Sequence, residues 1–271
     1  MPLRLNIVST VVAISSLACS AHPSSPYATK WLTYNAGSNP ALNYTDPASA
    51  LGRPARFTGD NAEFLYPSAV TAFNGAFNYD QVLSIGTGGH IVLGFDTPVR
   101  NNPNNPFGID ILIFGNTSFI DADYPSGIVG GIFSEGGVVE LSADGVHWVT
   151  ATGVVPDGSV PTIGYSDLTD PFALTRGSVP TNFRLPVDPA IDFSGMNYTQ
   201  VLDAYNGSGG GTGIDIGAYG LAVVNYVRIS NPFGNSAIEI DALSRVAAIP
   251  APGSLTLVLA ASFVAPRRRR S

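Results

Sequence analysis

An all-β fold is what this sequence predicts: an antiparallel β-sandwich, jelly-roll-like, with one short helix. Three observations lead there. Short runs rich in Val, Ile and Phe recur between clusters of Gly, Pro and Asn. The 271 residues include 30 glycines and 21 prolines, a turn-rich composition that argues against helical bundles and coiled coils. Helical spacing of apolar residues stands out in one short stretch. At 45% hydrophobic, the chain has enough apolar material for a core and is no disordered tail.

The elements follow in chain order. Residues 90–95 (HIVLGF) and 109–114 (IDILIF) are short β-rich runs bounded by Gly, Pro and Asn. Residues 138–142 (VVELS) and 146–150 (VHWVT) flank Ala143-Asp144-Gly145, a hairpin signal because Gly accepts positive φ without strain. The one helix is expected at 199–205, where Val201, Leu202 and Tyr205 share a face. The glycine run at 207–213 (GSGGGTG) caps that helix and turns into the strand region beyond Ile214. In 223–229, Val223, Val227 and Ile229 share one face, interrupted by Asn225. In 238–243, Ile238, Ile240 and Ala242 alternate with Glu239, Asp241 and Leu243, the pattern of a half-buried strand.

The two ends have a different character. Arg4, the apolar residues 5–17 and the small residues Ala18, Cys19, Ser20 and Ala21 read as a secretory signal over 1–21. Cys19 is the only cysteine, so a chain cut after Ala21 has no thiol for a disulfide or a zinc site. Residues 22–248 are expected to form one β-sandwich domain. Residues 249–271 begin Ile-Pro-Ala-Pro, continue with an apolar run over 255–265 and close on Arg267, Arg268, Arg269 and Arg270. Residues 253–266 would make a helix of about 21 Å, short of the ~20 residues a comfortable span needs. A transient membrane stop with a cytoplasmic Arg clamp fits better than a permanent one.

This tail resembles the PEP-CTERM sorting signal of exported bacterial proteins, with Pro250, Ala251 and Pro252 at the Pro-Glu-Pro motif, then the apolar helix and the Arg cluster. Ala251 stands where that motif has Glu. The resemblance implies an exosortase-like processing enzyme as partner and a destination in the cell envelope, at the cell surface or outside the cell. Residues 139–148 (VELSADGVHW) resemble a hairpin of discoidin-type, galactose-binding-like jelly rolls. Residues 50–54 (ALGRP), 84–96 (SIGTGGHIVLGFD), 110–116 (DILIFGN), 226–229 (YVRI) and 239–241 (EID) resemble PEP-CTERM-tailed surface proteins to which no reaction is assigned.

The net charge is −7, Lys30 is the only lysine, and five of the 13 basic residues lie in the two end segments. A surface of this sign repels phosphate backbones, which excludes nucleic acid as a partner. Asp96, Asn101, Asn102, Asn104, Asn105, Asp110, Asn116, Asp121 and Asp123 crowd into one stretch. Hard cations such as Ca²⁺ take six to eight oxygens from such groups. Asp96, Asp110, Asp121 and Asp123 are therefore candidate ligands of a structural Ca²⁺, against the alternative that the stretch only makes turns. Phe119, Tyr124 and Asn116 beside it are candidate sugar contacts, an aromatic face with a polar group.

His22, His90 and His147 lack metal-ligand spacing, and no G-x-S-x-G elbow or P-loop occurs. The expectation is an exported envelope or matrix protein with a non-catalytic structural or adhesive role, in contact with extracellular polysaccharide. The alternatives are a carbohydrate-binding module, Ca-dependent, using loops 96–124, and a secreted glycoside-processing enzyme.

Overall fold

The computed structural model describes residues 24–59, 66–232 and 236–248; the expected leader and tail lie outside the described residues. Among these the strands are β1 (Lys30–Asn35), β2 (Leu83–Ile85), β3 (His90–Arg100), β4 (Ile111–Gly115), β5 (Ser118–Asp121), β6 (Val129–Phe133), β7 (Val138–Ser142), β8 (Val149–Thr150), β9 (Thr212–Ile214), β10 (Val223–Ser230) and β11 (Ile238–Arg245). The α-helix is α1 (Tyr198–Tyr205). No helix among the described residues is long and apolar enough to cross a membrane.

One sheet runs β1-β3-β10-β7-β8 and a second runs β2-β11-β4-β9, while β5 and β6 form a separate ribbon. All paired strands are antiparallel. The two sheets share one apolar core. Leu93, Leu141, Val227 and Ile229 from the first pack in one cluster with Ile85, Ile113, Ile238 and Leu243 from the second. This is the mostly-β, sandwich-like arrangement that short strands and frequent turns predict.

The second sheet is covered on both sides. Leu112, Phe114 and Ala242 lie on its other face and pack with Ile109, Phe183 and Val246. Phe114 meets Phe183 edge to face at 5.3 Å between ring centres. Arg56 stacks on the Phe183 ring, 4.1 Å from its centre. Its guanidinium also donates to the Thr181 hydroxyl and to the Gly164 and Thr181 carbonyls. Double coverage explains why Ile111–Gly115 is apolar throughout instead of alternating.

Two strands depart from simple alternation, for one reason. In β10 the register slips between Val224 and Tyr226, where Asn225 faces several residues of β3. The bulge changes the phase, so Val224 joins Val227 and Ile229 in the core and Val223 is left half-buried. In β11 the register slips between Ile240 and Ala242. Leu243 then reaches the inter-sheet core while Ala242 turns outward to Phe183. The strand is buried almost throughout rather than half-buried, and Glu239 and Asp241 are buried with it. The expected strand over 146–150 is also shorter. Asp144 accepts the Val146 and His147 N–H groups in a wider turn, leaving β8 only Val149 and Thr150.

The long stretch from 151 to 197 holds isolated bridges but no strand or helix. Its order comes from acids and amides that bind backbone N–H groups two residues on. Asp170 accepts from Phe172, Asn182 from Arg184, Asp188 from Ala190 and Asp192 from Ser194. The stretch ends at α1, where Asn197 and Gln200 form a reciprocal capping box. Tyr198, Val201 and Tyr205 of α1 pack on Phe73, Phe119, Val129 and Phe193, which anchors the β5–β6 ribbon.

Asp241 makes the fold pH-sensitive. It is 2% exposed and accepts the Ala55 N–H at 2.7 Å. Burial pushes its carboxyl up to about 8, with the Ala55 N–H and then Arg53 pulling the other way. A folded-state value above the unfolded one means this contribution to stability is complete below about 3.8 and is lost as pH rises through about 8. Urea unfolding at a series of pH values should show stability falling from about pH 5 to about pH 8. The share from one such group is at most ~1.4 kcal/mol per pH unit. Asp241→Asn should flatten that fall.

Candidate functional site

The sequence-predicted residues are dispersed, each with local partners. Asp96 is exposed on β3, 4.0 Å from the Lys30 ammonium. Asp110 is buried ahead of β4; its Oδ1 takes the Asn102 N–H and the Asn105 side-chain amide, and Oδ2 takes the Ile216 N–H. Burial pushes its pKa up in spite of these donors. Asp121 closes β5 and accepts the Asp123, Gly127 and Ile128 N–H groups. Burial opposes its charge, but the three backbone donors prevail and hold its pKa below the ordinary value. Asp123 takes the Ser126 hydroxyl. Asp110, Asp121 and Asp123 thus hold donors in turns, while Asp96 faces Lys30 across a strand pair.

Phe119 and Tyr124 part company. Phe119 is 5% exposed and packs on Phe73 and Phe193, so it offers no face to solvent. Tyr124 is 75% exposed, its ring edge-on to Phe172 at 4.9 Å. The Asn116 side-chain oxygen is buried without a hydrogen-bond partner. Trp148 is half-buried under the Arg228 guanidinium, 4.4 Å from its ring.

The acids that do come together are Glu135, Asp157 and Glu239, each placing a carboxylate oxygen within 4.8 Å of the other two. They come from both sheets. Glu239 is the second residue of β11. Glu135 and Asp157 lie on either side of the β7–β8 hairpin, where the chain continues pairing beyond the strands through a bridge between Gly136 and Asp157. The Ser134 hydroxyl donates to the Asp157 carbonyl at 2.5 Å. Thr117 gives both its N–H and its hydroxyl to Asp157 Oδ1, at 3.0 and 2.9 Å. Ser84 gives its hydroxyl to Glu239 Oε1 at 3.2 Å.

The three acids lie in a buried setting. Asp157 is 0% exposed and Glu239 is buried. Burial is the largest effect on all three carboxyls and pushes them up. The acids then act on one another in both directions: Glu239 raises Glu135 and Glu135 raises Asp157, while contact with Glu135 lowers Glu239 against a rise from Asp157, and contact with Asp157 lowers Glu135. No basic side chain among the described residues contributes to the field at any of them. Asp157 Oδ2 and Glu135 Oε2 are buried and accept no hydrogen bond.

A groove of about 400 Å³ runs nearby, lined by Ser134, Gly158, Pro186, Val187, Ile191 and Phe193 among others. Ser134 and Gly158 line it, but the three carboxyls do not.

Sequence spacing does not find this trio, because its members are far apart in the chain and Glu239 falls on the polar side of an alternating pattern. The one local sign is acids set within an apolar strand, Ile-Glu-Ile-Asp-Ala-Leu. No protein-family model matches the chain, and no curated protein matches it.

The trio also explains a glycine. At Gly115, the last residue of β4, a Cβ would stand 2.3 Å from Asp157 Oδ1 and 2.7 Å from the Glu239 carbonyl oxygen. Gly115→Ala should therefore cost about 1–3 kcal/mol, the usual penalty for overpacking. The cost should appear as a lower urea midpoint at unchanged m-value.

Proposed function

We propose that this protein is an exported, envelope-associated, non-catalytic jelly-roll domain with a structural or adhesive role, sorted to the envelope by its PEP-CTERM-like tail. The observation that carries the reading is where the chain enters and leaves the fold. Tyr27 bridges Ser244, Arg245 N–H donates to the Pro26 carbonyl at 2.8 Å, and the Arg245 guanidinium reaches the Ser25 carbonyl. The segments joining the leader and the tail to the domain thus lie side by side at one end.

Chemistry at that end agrees. Arg100, Arg184 and Arg245 line a cavity of about 440 Å³ together with Ala247 and Ala248. A cluster of guanidinium groups where the chain leaves the fold suits a membrane surface of anionic headgroups. Gly115 and Ile238, with the carboxylate trio, occupy the opposite end of the second sheet. In this reading a processing enzyme of the exosortase type acts on 250–252, and the far end faces matrix polysaccharide.

Deleting residues 250–271 in the native host should move the protein from the envelope fraction to the medium and abolish the processed C-terminus, as read by fractionation and intact mass. An unchanged location and an unchanged mature C-terminus would defeat the sorting reading. Ala251→Glu, which restores the motif residue of the resembled family, should raise the processed fraction.

A carbohydrate-binding role has one specific observation in its favour, the exposed Tyr124 ring braced by Phe172. An aromatic face of this kind can stack on a sugar ring. On a glycan array, Tyr124→Ala should then lose most binding while its melting curve stays within ~0.5 kcal/mol of wild type, the normal range for an exposed site.

A further inference from the structure

We propose that Glu135, Asp157 and Glu239 form a binding site for one hard divalent cation, Ca²⁺, which ties the β7–β8 hairpin to β11 across the two sheets. Neither the destination of the protein nor its binding partners enter into this inference.

The first argument is distance. Each residue places one carboxylate oxygen within 4.8 Å of the others. Ca²⁺ bonds of about 2.3–2.6 Å span ligand oxygens up to ~5 Å apart, so the trio can close on the ion with little rearrangement. The donors are all oxygens, which selects hard cations over zinc or copper. Mg²⁺ wants shorter bonds and near-octahedral order, and it gives up water reluctantly. The site should therefore prefer Ca²⁺.

The second argument is an unanswered buried atom. Asp157 is 0% exposed, and its Oδ2 accepts no hydrogen bond. Its other oxygen is held by both donors of Thr117, which fixes the carboxylate and leaves Oδ2 with no donor of its own. Glu135 Oε2 is likewise buried and unpartnered. Burying such a group without a partner costs a fold dearly, and buried charges are normally paired or bound to metal. Here the neighbours are acids, so pairing would have to come from a cation or from shared protons.

The third argument is connection. Glu239 belongs to the second sheet, while Glu135 and Asp157 flank a hairpin of the first. An ion joining them constrains both sheets at the end away from the entering and leaving chain.

The test uses the full-length chain, dialysed first against EGTA. Equilibrium dialysis with radioactive Ca²⁺ should show one ion per chain. At free Ca²⁺ about 100 times Kd, thermal melting should rise by ~5–10 °C, and the same concentration of Mg²⁺ should give a smaller rise. Asp157→Asn and the half-buried Glu135→Gln should each weaken uptake by about tenfold or more, since each removes a charged oxygen ligand.

Stability should also change order with conditions. In EGTA the two variants should melt at or above wild type, because one member of a repelling set is gone. In Ca²⁺ they should melt below it. Asp96→Asn with Asp123→Asn, both at exposed positions, should leave uptake unchanged. The proposal fails if wild type takes up no Ca²⁺ at millimolar concentration and melts alike with and without EGTA, the behaviour of carboxyls that share protons. It fails equally if uptake survives Asp157→Asn and Glu135→Gln, or is lost in the Asp96/Asp123 pair, which would put the ion on the 96–123 loops.

Discussion

Coverage of the second sheet on both faces is the constraint on which the rest of the structure depends. A sheet with one wet face can carry acids on that face. Here Phe183, Ile109 and Val246 close the outer side, so whatever β11 carries there goes into the interior. Asp241 answers with the Ala55 N–H and a raised pKa. Glu239 answers with Ser84 and the company of two more acids. A candidate ion site and a pH-sensitive carboxyl thus arise from the same layer of packing.

That layer is built by a segment of unusual kind. Long stretches without strand or helix are uncommon inside compact domains. Residues 151–197 manage it because their acids and amides satisfy backbone donors locally, and because Phe183, Ile163, Val187 and Phe193 supply apolar anchors. The acidity of the sequence is accordingly tied up in turn closure to a large degree. Asp121 and Asp167 make the point: burial is the largest single effect on Asp121, yet its three backbone N–H donors together hold its pKa below the ordinary value, and at Asp167 the backbone donors of Ser178 and Val179 outweigh burial.

The strands that stand out in the sequence are those with sustained β-branched or alternating runs: β3, β4, β7, β10 and β11, together with the helix α1. The strand β1 was not legible, because Lys-Trp-Leu-Thr-Tyr-Asn is an edge with its side chains mostly exposed and no apolar face to read. The two bulges were not legible either, since a register slip is decided by the partner strand and not by the strand's own pattern. Oxygen-rich composition marks residues 96–123, where Asp110, Asp121 and Asp123 hold backbone and side-chain donors. The trio gives no comparable local signal: it is assembled by β11 pairing and by the continuation of the β7–β8 hairpin, both long-range events.

The position of β11 has a consequence for synthesis. It lies between β2 and β4 in its sheet, as β10 lies between β3 and β7 in the other. The last two strands among the described residues therefore fill the middles of both sheets. A ribosome delivers β2, β3, β4 and β7 long before their central partners exist, leaving open edges of the kind that invite pairing with other chains. Closure must then come late and nearly all at once. A premature stop before residue 223 would leave both sheets open, and one between 231 and 237 would still leave the second sheet without its centre, so truncation gives exposed strand edges and not a smaller closed sandwich.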